Sequence, residues 1–264
     1  MPIRLVQTHT HVVAVEDERV SGTMGVLSQP GRVGLIFPPE LDRASPGVAD
    51  RLIEAALKRL GRAGAAFVQL TLPPDDENLA APFLGHGFAR LTDAVLLEKR
   101  FQVGNDKPPE RSLRTIPCDP ESDAPRLVEL IRRINLDSQD CPELDALRTP
   151  ADLFAAHRGA SEGNRARWWR YEEAGNDVGV VLGTTVEDAE AWEILFFGVV
   201  SEERGRGLGR QLLQHFECQA ALETAHLRAG MDSRNIVAKR VYEANGYLET
   251  GRLRVWIHPL PGTA

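Results

Sequence analysis

A glycine-rich segment at residues 204–210, Arg-Gly-Arg-Gly-Leu-Gly-Arg, carries the strongest chemical signal of the chain. It follows an apolar run that ends at Val200 and leads into an amphipathic stretch, which predicts a strand, a loop and a helix in that order. The first N–H groups of a helix have no backbone partner and lie at the positive dipole end, and glycines let a ligand approach closely, so this arrangement favours phosphate binding. The spacing of Gly205, Gly207 and Gly209 does not match the dinucleotide motif G-x-G-x-x-G, and the lysine of a P-loop is missing. A solvated turn between a strand and a helix is the alternative interpretation.

A second motif follows after a short predicted strand. Asn235, Ala238, Tyr242 and Gly246 recur at steps of three or four residues, so a helix would carry them on one face, with Gly246 just past its end. Together with the Arg-x-x-Gly-x-Gly pattern of the loop, and in this order, the motif resembles the GNAT acetyltransferase superfamily. The resemblance covers roughly residues 110–260.

The resemblance implies a fold and a ligand. The expected fold is α/β (α+β), a mixed and mostly antiparallel sheet flanked by helices, and the expected ligand is acetyl-CoA as acyl donor, without a metal. In the family the asparagine contacts the pantetheine arm and the tyrosine hydroxyl faces the thioester sulfur. The residues expected to bind the coenzyme are Phe197, Gly198, Val199, Val200, Arg204, Gly205, Arg206, Gly207, Leu208, Gly209, Arg210, Asn235 and Tyr242.

Transfer of an acetyl group to an amine requires two proton transfers, because an alkyl amine has a pKa of about 10.4 and a thiol about 8.5. Tyr242 is the candidate acid for the leaving thiolate, and a backbone N–H of the strand ending at Val199 would polarise the thioester oxygen. Glu193 is the candidate base, acting through a water. Its spacing from Gly209 resembles that of the catalytic glutamate in the histone-acetyltransferase branch. A buried packing tyrosine and an ordinary polar strand residue are the alternatives, and three acidic residues before Glu193 could replace it as base: Glu187, Asp188 and Glu190.

An acidic loop between two predicted helices is the candidate acceptor site. Acidic side chains there suit a cationic acceptor such as a polyamine, an aminoglycoside or a peptide amine, although charged loops are often merely solvated. The candidate substrate residues are Asp137, Asp140, Glu143 and, on a following strand, Trp168.

The first 104 residues resemble a degenerate copy of about the last 100 residues. Aligning Gly87 with Gly246 places Phe83 opposite Tyr242, and the loop of the first half has no Gly-x-Gly. The sequence thus predicts two GNAT-type folds in tandem: a degenerate domain at 1–104, a linker at 105–112 and a catalytic domain at 113–264. This layout is similar to that of mycothiol synthases. The alternative is that any α/β domain ends in a helix, a glycine and a strand.

Composition agrees with a cytoplasmic enzyme. The formal net charge of −7 argues against nucleic acid or an anionic membrane as a partner, while 42% hydrophobic and 26% charged residues are typical of globular proteins. No apolar run approaches the roughly 20 residues of a membrane span, and the N-terminus lacks a signal-peptide pattern. The three cysteines are far apart, as expected of reduced thiols. We expect a monomer or a homodimer, and the alternative function is an acyl-CoA-binding sensor without turnover.

Overall fold

The computed structural model describes residues 3–42, 47–101, 113–186 and 190–261, apart from the side chain of residue 77. The chain forms two compact units. Unit 1 consists of Met1–Asp93, Glu143–Arg148 and Arg252–Ala264, and unit 2 consists of Ala94–Pro142 and Thr149–Gly251. The predicted linker at 105–112 lies outside the described residues, and the predicted domain boundaries stay a prediction.

In chain order the strands are β1 (Arg4–Gln7), β2 (His11–Glu16), β3 (Arg19–Gln29), β4 (Val33–Ile36), β5 (Glu40–Leu41), β6 (Phe67–Leu72), β7 (Ala89–Arg100), β8 (Arg114–Pro117), β9 (Ala166–Glu173), β10 (Asn176–Val186), β11 (Ala191–Val199), β12 (His226–Asp232) and β13 (Leu248–Pro259). The helices are α1 (Val48–Arg62), α2 (Ala81–Leu84), α3 (Ala124–Asn135), α4 (Pro150–Ala160), α5 (Leu208–Ala220) and α6 (Ile236–Ala244). Among the described residues, none of the helices combines the length and the apolar composition that crossing a bilayer requires.

The sheet of unit 1 has the order β1-β2-β3-β4-β6-β13, with β5 paired to β3. Its pairs are antiparallel except for β4 and β6, which run parallel. Helix α1 packs its apolar stripe against this sheet, with Leu52 and Ile53 completely buried. Burial of that stripe supplies most of the stabilisation of such a helix.

The sheet of unit 2 has the order β7-β12-β11-β10-β9-β8, in which only β11 and β12 are parallel. Neighbouring residues of β10 belong to different apolar clusters, because successive side chains point to opposite faces of a sheet. Val181 belongs to the cluster that contains Phe216 of α5, while Val180 belongs to the cluster that contains Ile131 of α3 and Phe154 of α4. The predicted mixed, mostly antiparallel sheet flanked by helices is therefore confirmed.

The two units repeat one strand order, and each takes its last strand from the other half of the sequence. Residues 94–100 of β7 pair with β12 in unit 2, whereas residues 254–259 of β13 pair with β6 in unit 1. In both units this strand is antiparallel to a strand that runs parallel to its other neighbour. The repeat that the sequence predicts is thus present in the topology.

Candidate active site

A cleft of about 450 Å³ lies in unit 2 between β11 and β12. The two strands pair only from Ala191 with His226 to Ile194 with Ala229, and no further pair joins them in the described part of the chain. The residues that line the cleft are Ile134, Asn135, Asp137, Ser138, Gln139, Asp140, Ile194, Leu195, Phe196, Phe197, Gly198, Val199, Glu203, Arg204, Gly205, Gly207, Leu208, Gly209, Arg210, Gly230, Met231, Asn235, Val237, Ala238, Val241 and Tyr242.

A β-bulge explains why β11 leaves β12. Along β10, Leu182 pairs with Phe196 and the next residue, Gly183, pairs with Ile194, so Leu195 is the extra residue on β11. A bulge bends the strand that carries it and increases its local twist. As a result the edge of residues 195–199 that would face β12 is left to the cleft, where backbone N–H and C=O groups can pair with an extended ligand.

The glycine loop opens directly into α5, as the sequence predicts. Gly205 and Gly207 have φ values of 79° and 77°, a left-handed conformation that glycine adopts without the penalty of a side chain. A Cβ atom on either of them would meet no atom within 4 Å, so both face open space. Gly207 is the N-cap residue of α5, and the free N–H groups of the first helical turn therefore lie beside the cleft.

The arginines of the loop have different partners. The Arg204 guanidinium donates to the carbonyl oxygens of Val199 (3.3 Å), Asp137 (3.1 Å) and Ile134, and so joins the end of β11 to the end of α3. Arg206 forms an ion pair with Glu173 at 2.7 Å and a second with a glutamate of its own loop, and it is not among the residues that line the cleft. Arg210 lines the cleft in the first turn of α5.

Helix α6 presents its predicted face to the cleft. Asn235 is the N-cap residue, and its Oδ1 accepts a hydrogen bond from the Ala238 N–H at 3.0 Å. Gly246 lies just past the helix end with φ 82°, as predicted. The capping role was readable from sequence, because asparagine before an apolar helix is a common N-terminal signal.

Tyr242 is 4% exposed and lines the cleft. Its ring packs edge-to-face on Phe197 and Tyr247, with centroid distances of 5.8 and 5.0 Å. Burial raises the pKa of the Tyr242 phenol well above 10, and the negative charges of Asp140 and Glu217 raise it further. The phenol is therefore protonated at neutral pH and able to donate.

Glu193 is a half-buried residue of β11, paired in register with Thr184 on one side and Arg228 on the other. Burial raises the pKa of its carboxyl, and the charge of Arg228 lowers it. Glu193 is not among the residues that line the cleft, although the next residue, Ile194, is. Of the three alternative acids, those at 187 and 188 lie outside the described residues, and Glu190 lies in the turn before β11.

The candidate acceptor residues are distributed over three places. Asp137 and Asp140 line the cleft, whereas Trp168 is 2% exposed and packs edge-to-face on Phe154 in the core beneath α3 and α4. Glu143 belongs to unit 1. The structure therefore brings two of the four into the cleft.

Residues 164–249 match the family model described as an acetyltransferase (GNAT) domain. The matched segment contains β11, the glycine loop, α5 and α6, which are the elements that form the cleft. The matched segment falls within unit 2. No curated protein matches the chain in sequence.

Several solved structures share the fold of the GNAT domain and of the whole chain. A GCN5-related N-acetyltransferase from Sphaerobacter thermophilus is 18% identical with a TM-score of 0.63, covering 96% of this chain and 82% of that one. A tandem GNAT protein from the clavulanic acid biosynthesis pathway is 16% identical with a TM-score of 0.60, covering 96% and 83%. A glucosamine N-acetyltransferase region of a fungal multi-domain β-N-acetylglucosaminidase is 16% identical with a TM-score of 0.65, covering 94% and 33%.

These similarities show that the fold of both units is shared with these structures. At identities of 12–18% they establish the fold and not the acceptor. The GNAT domain supports a transferase that uses an acyl-CoA donor and an acceptor of the amine type.

Proposed function

We propose that unit 2 transfers an acetyl group from acetyl-CoA to a primary amine of a small molecule or a peptide. The supporting observation is that one cleft combines the unpaired edge of β11, the N-terminus of α5 and Tyr242. A binding module for phosphate would need the helix terminus alone, whereas acyl transfer also needs a proton donor beside an extended ligand.

The cleft fits the acyl donor in its chemistry. The pyrophosphate would lie on the N–H groups of the first turn of α5, against Gly205 and Gly207, and Arg210 would add a positive charge. The amide groups of the pantetheine arm would pair with the backbone of residues 195–199, as an added strand does at a sheet edge. The Asn235 side chain caps α6 through its oxygen, and its amide N–H groups would donate to the same arm.

Acetyl transfer then proceeds by direct attack. The amine nitrogen forms a bond to the thioester carbonyl carbon, a backbone N–H near Val199 stabilises the charge on the oxygen, and the carbon–sulfur bond breaks. Tyr242 gives its proton to the leaving thiolate. Its raised pKa keeps the phenol protonated at neutral pH, so that the hydroxyl is available to hydrogen-bond to the departing thiolate and to donate to it.

The amine must also lose a proton, and we assign this step to Glu193 acting through a water. Its half-buried position on β11 raises its pKa toward the neutral range, where a carboxylate is a more effective base. Because Glu193 does not line the cleft, the water is required by the geometry of the proposal.

The acyl group that this cleft favours is acetyl. Phe196 packs on His157 with a centroid distance of 5.3 Å, and Phe197 packs on Tyr242. Both rings line the cleft. In the proposed binding mode they would lie beside the acyl chain, where they would favour a short chain over a long one.

We further propose that the two halves arose by duplication, with a degenerate domain at 1–104 and the catalytic domain at 113–264. The three cysteines are free thiols, which favours a reducing compartment such as the cytoplasm.

Native mass spectrometry and a thiol-release assay test the proposed function together. We expect a bound mass equal to acetyl-CoA, and release of free coenzyme A when an amine panel containing cadaverine, glucosamine and a lysyl peptide is added. Binding of acetyl-CoA without thiol release for any amine would favour the alternative, an acyl-CoA sensor. Absence of acetyl-CoA binding would overturn both.

A further inference from the structure

The last turn of α3 packs directly against the backbone of β11 beside the cleft. A Cβ atom at Gly198 would lie 2.3 Å from Cγ2 of Ile134, so only glycine fits between the strand and this side chain. Ile134 is 5% exposed and lines the cleft. The glycine is therefore explained by a side chain of the protein, and Ile134 fills the space on this side of the strand.

Strand geometry places the contact at the reactive end of the proposed donor. The Val200 N–H donates to the carbonyl oxygen of Val178 at 3.0 Å, within the sheet. Successive N–H groups of a strand point to opposite sides, so the N–H of Val199 faces the unpaired edge. This is the N–H proposed to polarise the thioester oxygen. The acyl carbon would therefore lie beside Gly198, against which Ile134 packs.

The two faces of the sheet differ at this point. Phe197 packs against the cluster of α5 and on the ring of Tyr242, so that face carries the acid proposed for the sulfur. Phe196 packs against the cluster of α3 and α4, and Gly198, two residues on, shares its face. On this second face the room beside the unpaired edge is bounded by Ile134.

Arg204 holds the main chain that carries Ile134. Its guanidinium donates to the carbonyl oxygens of Ile134 and Asp137 (3.1 Å) at the end of α3, and to that of Val199 (3.3 Å) at the end of β11. The last carbonyls of a helix have no partner within the helix, and a cation is favourable there. One guanidinium thus ties the last turn of α3 to the strand on which its side chain packs.

We propose that Ile134 limits the length of the acyl chain, and that Arg204 is a positioning residue that keeps Ile134 against β11. The inference rests on the proposed function and assigns its preference for acetyl to a side chain that precedes the matched segment 164–249. The sequence places Ile134 on the apolar face of α3 together with Leu130 and Ile131, and this pattern does not distinguish a cleft residue from a core residue.

The test compares acyl-CoA donors of two lengths with the full chain. Calorimetric titration gives the acyl preference, defined as the Kd of butyryl-CoA divided by the Kd of acetyl-CoA. Thiol release with the best amine of the panel gives the corresponding ratio of kcat/KM. Ile134→Ala removes three carbon atoms beside the acyl site and should lower both preferences at least about 10-fold, since one methylene in an apolar pocket discriminates about 10- to 200-fold. Should this variant unfold, Ile134→Val should give a smaller change in the same direction.

The matched control is Ile131→Ala. Ile131 is an isoleucine of the same helix and the same apolar cluster, is completely buried, and does not line the cleft. Its truncation should leave both preferences within about twofold of the wild type. If Ile131→Ala unfolds, Val128→Ala, a partly buried residue of the same helix outside the cleft, replaces it.

The role of Arg204 is tested with Arg204→Met. This variant should lower the acyl preference in the same direction and bind free coenzyme A within about twofold of the wild type. Combined with Ile134→Ala it should give the preference of Ile134→Ala alone, because Arg204 acts through Ile134. Weaker binding of free coenzyme A with an unchanged preference would assign Arg204 to the coenzyme and overturn its positioning role, as would additive effects in the double variant.

The packing contact has a test of its own. Gly198→Ala forces Ile134 away from the strand, whereas with alanine at 134 the nearest remaining atom, Cβ, lies 3.6 Å from the new Cβ. Gly198→Ala and Ile134→Ala together should therefore lower the stability by less than the sum of their separate effects. Additive losses would overturn the contact, and with it the inference.

The two readouts separate this inference from the function beneath it. If acetyl-CoA binds and no amine releases thiol, the proposed function is refuted, while the ratio of the two Kd values still tests Ile134. Active wild type with an unchanged acyl preference in Ile134→Ala, or with an equal change in Ile131→Ala, refutes the inference alone.

Discussion

Replacing Gly207 with valine should separate the coenzyme site from the fold that carries it. Gly207 is the N-cap residue of α5 with φ 77°, and a Cβ there meets no atom within 4 Å. A Cβ at this position therefore creates no clash within the protein. Its effects should be backbone strain and a side chain that projects into the space proposed for the pyrophosphate.

Both effects can be given a magnitude. A left-handed non-glycine residue costs about 1–2 kcal/mol, which lowers Tm by about 2–8 °C for a domain of this size. Displacing the pyrophosphate from one N–H group costs about 1.5–3 kcal/mol, the value of a hydrogen bond to a charged group, and this weakens Kd about 10- to 140-fold. Calorimetric titration with acetyl-CoA measures the second effect, and thermal unfolding of the free protein measures the first.

Gly163→Val is the matched control. Gly163 has φ 82°, and a Cβ there also meets nothing within 4 Å, but it lies in the turn before β9 and does not line the cleft. We expect the same loss of Tm in both variants, with weaker acetyl-CoA binding only in Gly207→Val. Equal acetyl-CoA affinities in the two variants would refute the placement of the pyrophosphate at this helix.

Three further substitutions test the acid, the base and a buried ion pair. Tyr242→Phe should lower kcat about 100-fold and leave the acetyl-CoA Kd within about twofold of the wild-type value. Because the pKa of the Tyr242 phenol is raised, the kcat of the wild type should not fall below pH 10 through ionisation of this group. Unchanged turnover in the variant would remove Tyr242 as the acid. The rate should rise with pH as Glu193 ionises, and this rise should lie above pH 4.5 because burial raises the pKa of the carboxyl. Glu193→Gln should flatten this acidic limb. A pH–rate profile equal to that of the wild type would reject Glu193 as the base. Lys99 forms an ion pair with the buried Glu217 at 2.7 Å. Lys99→Met should therefore lower the free energy of unfolding, measured with denaturant, by about 3–5 kcal/mol, and adding Glu217→Gln should restore most of that loss. If the second substitution restores nothing, the loss comes from packing alone.

The elements of the active site were predictable because their signals are local. The glycine loop, the face of α6 and the end of that helix at Gly246 each depend on residues within a few positions of one another. The corresponding part of the first half is shorter: residues 76–88 contain a 3-10 helix, Glu77–Leu79, and only one turn of α-helix, Ala81–Leu84. A proline at the second position of α2 suits the start of a helix and gives no information on its length.

What sequence could not supply is the choice of distant partners. The pattern of β7 and β13 predicts strands, but hydrophobic alternation does not say which sheet a strand joins, and each joins the sheet of the other half. The partners of Arg204 show the same limit: its guanidinium donates to three carbonyl groups, two of which lie 67 and 70 residues away in the sequence. These hydrogen bonds join the end of β11 to the end of α3, and the expectation that Arg204 binds the coenzyme stays a prediction.

Comparing the two halves separates the packing role of the Tyr242 ring from the proposed catalytic role of its hydroxyl. In unit 1 Phe83 is completely buried and packs edge-to-face on Phe88 at 5.4 Å, as Tyr242 packs on Tyr247 at 5.0 Å in unit 2. An aromatic ring at this position is therefore what the fold itself requires, with or without catalysis. Removing the ring would lower the free energy of unfolding by about 3–5 kcal/mol in either unit, because packing is lost. That loss would not report on the role of Tyr242 as the acid. At this position the two halves differ in the hydroxyl alone, so the substitution that removes the hydroxyl and keeps the ring is the one that tests Tyr242 as the acid.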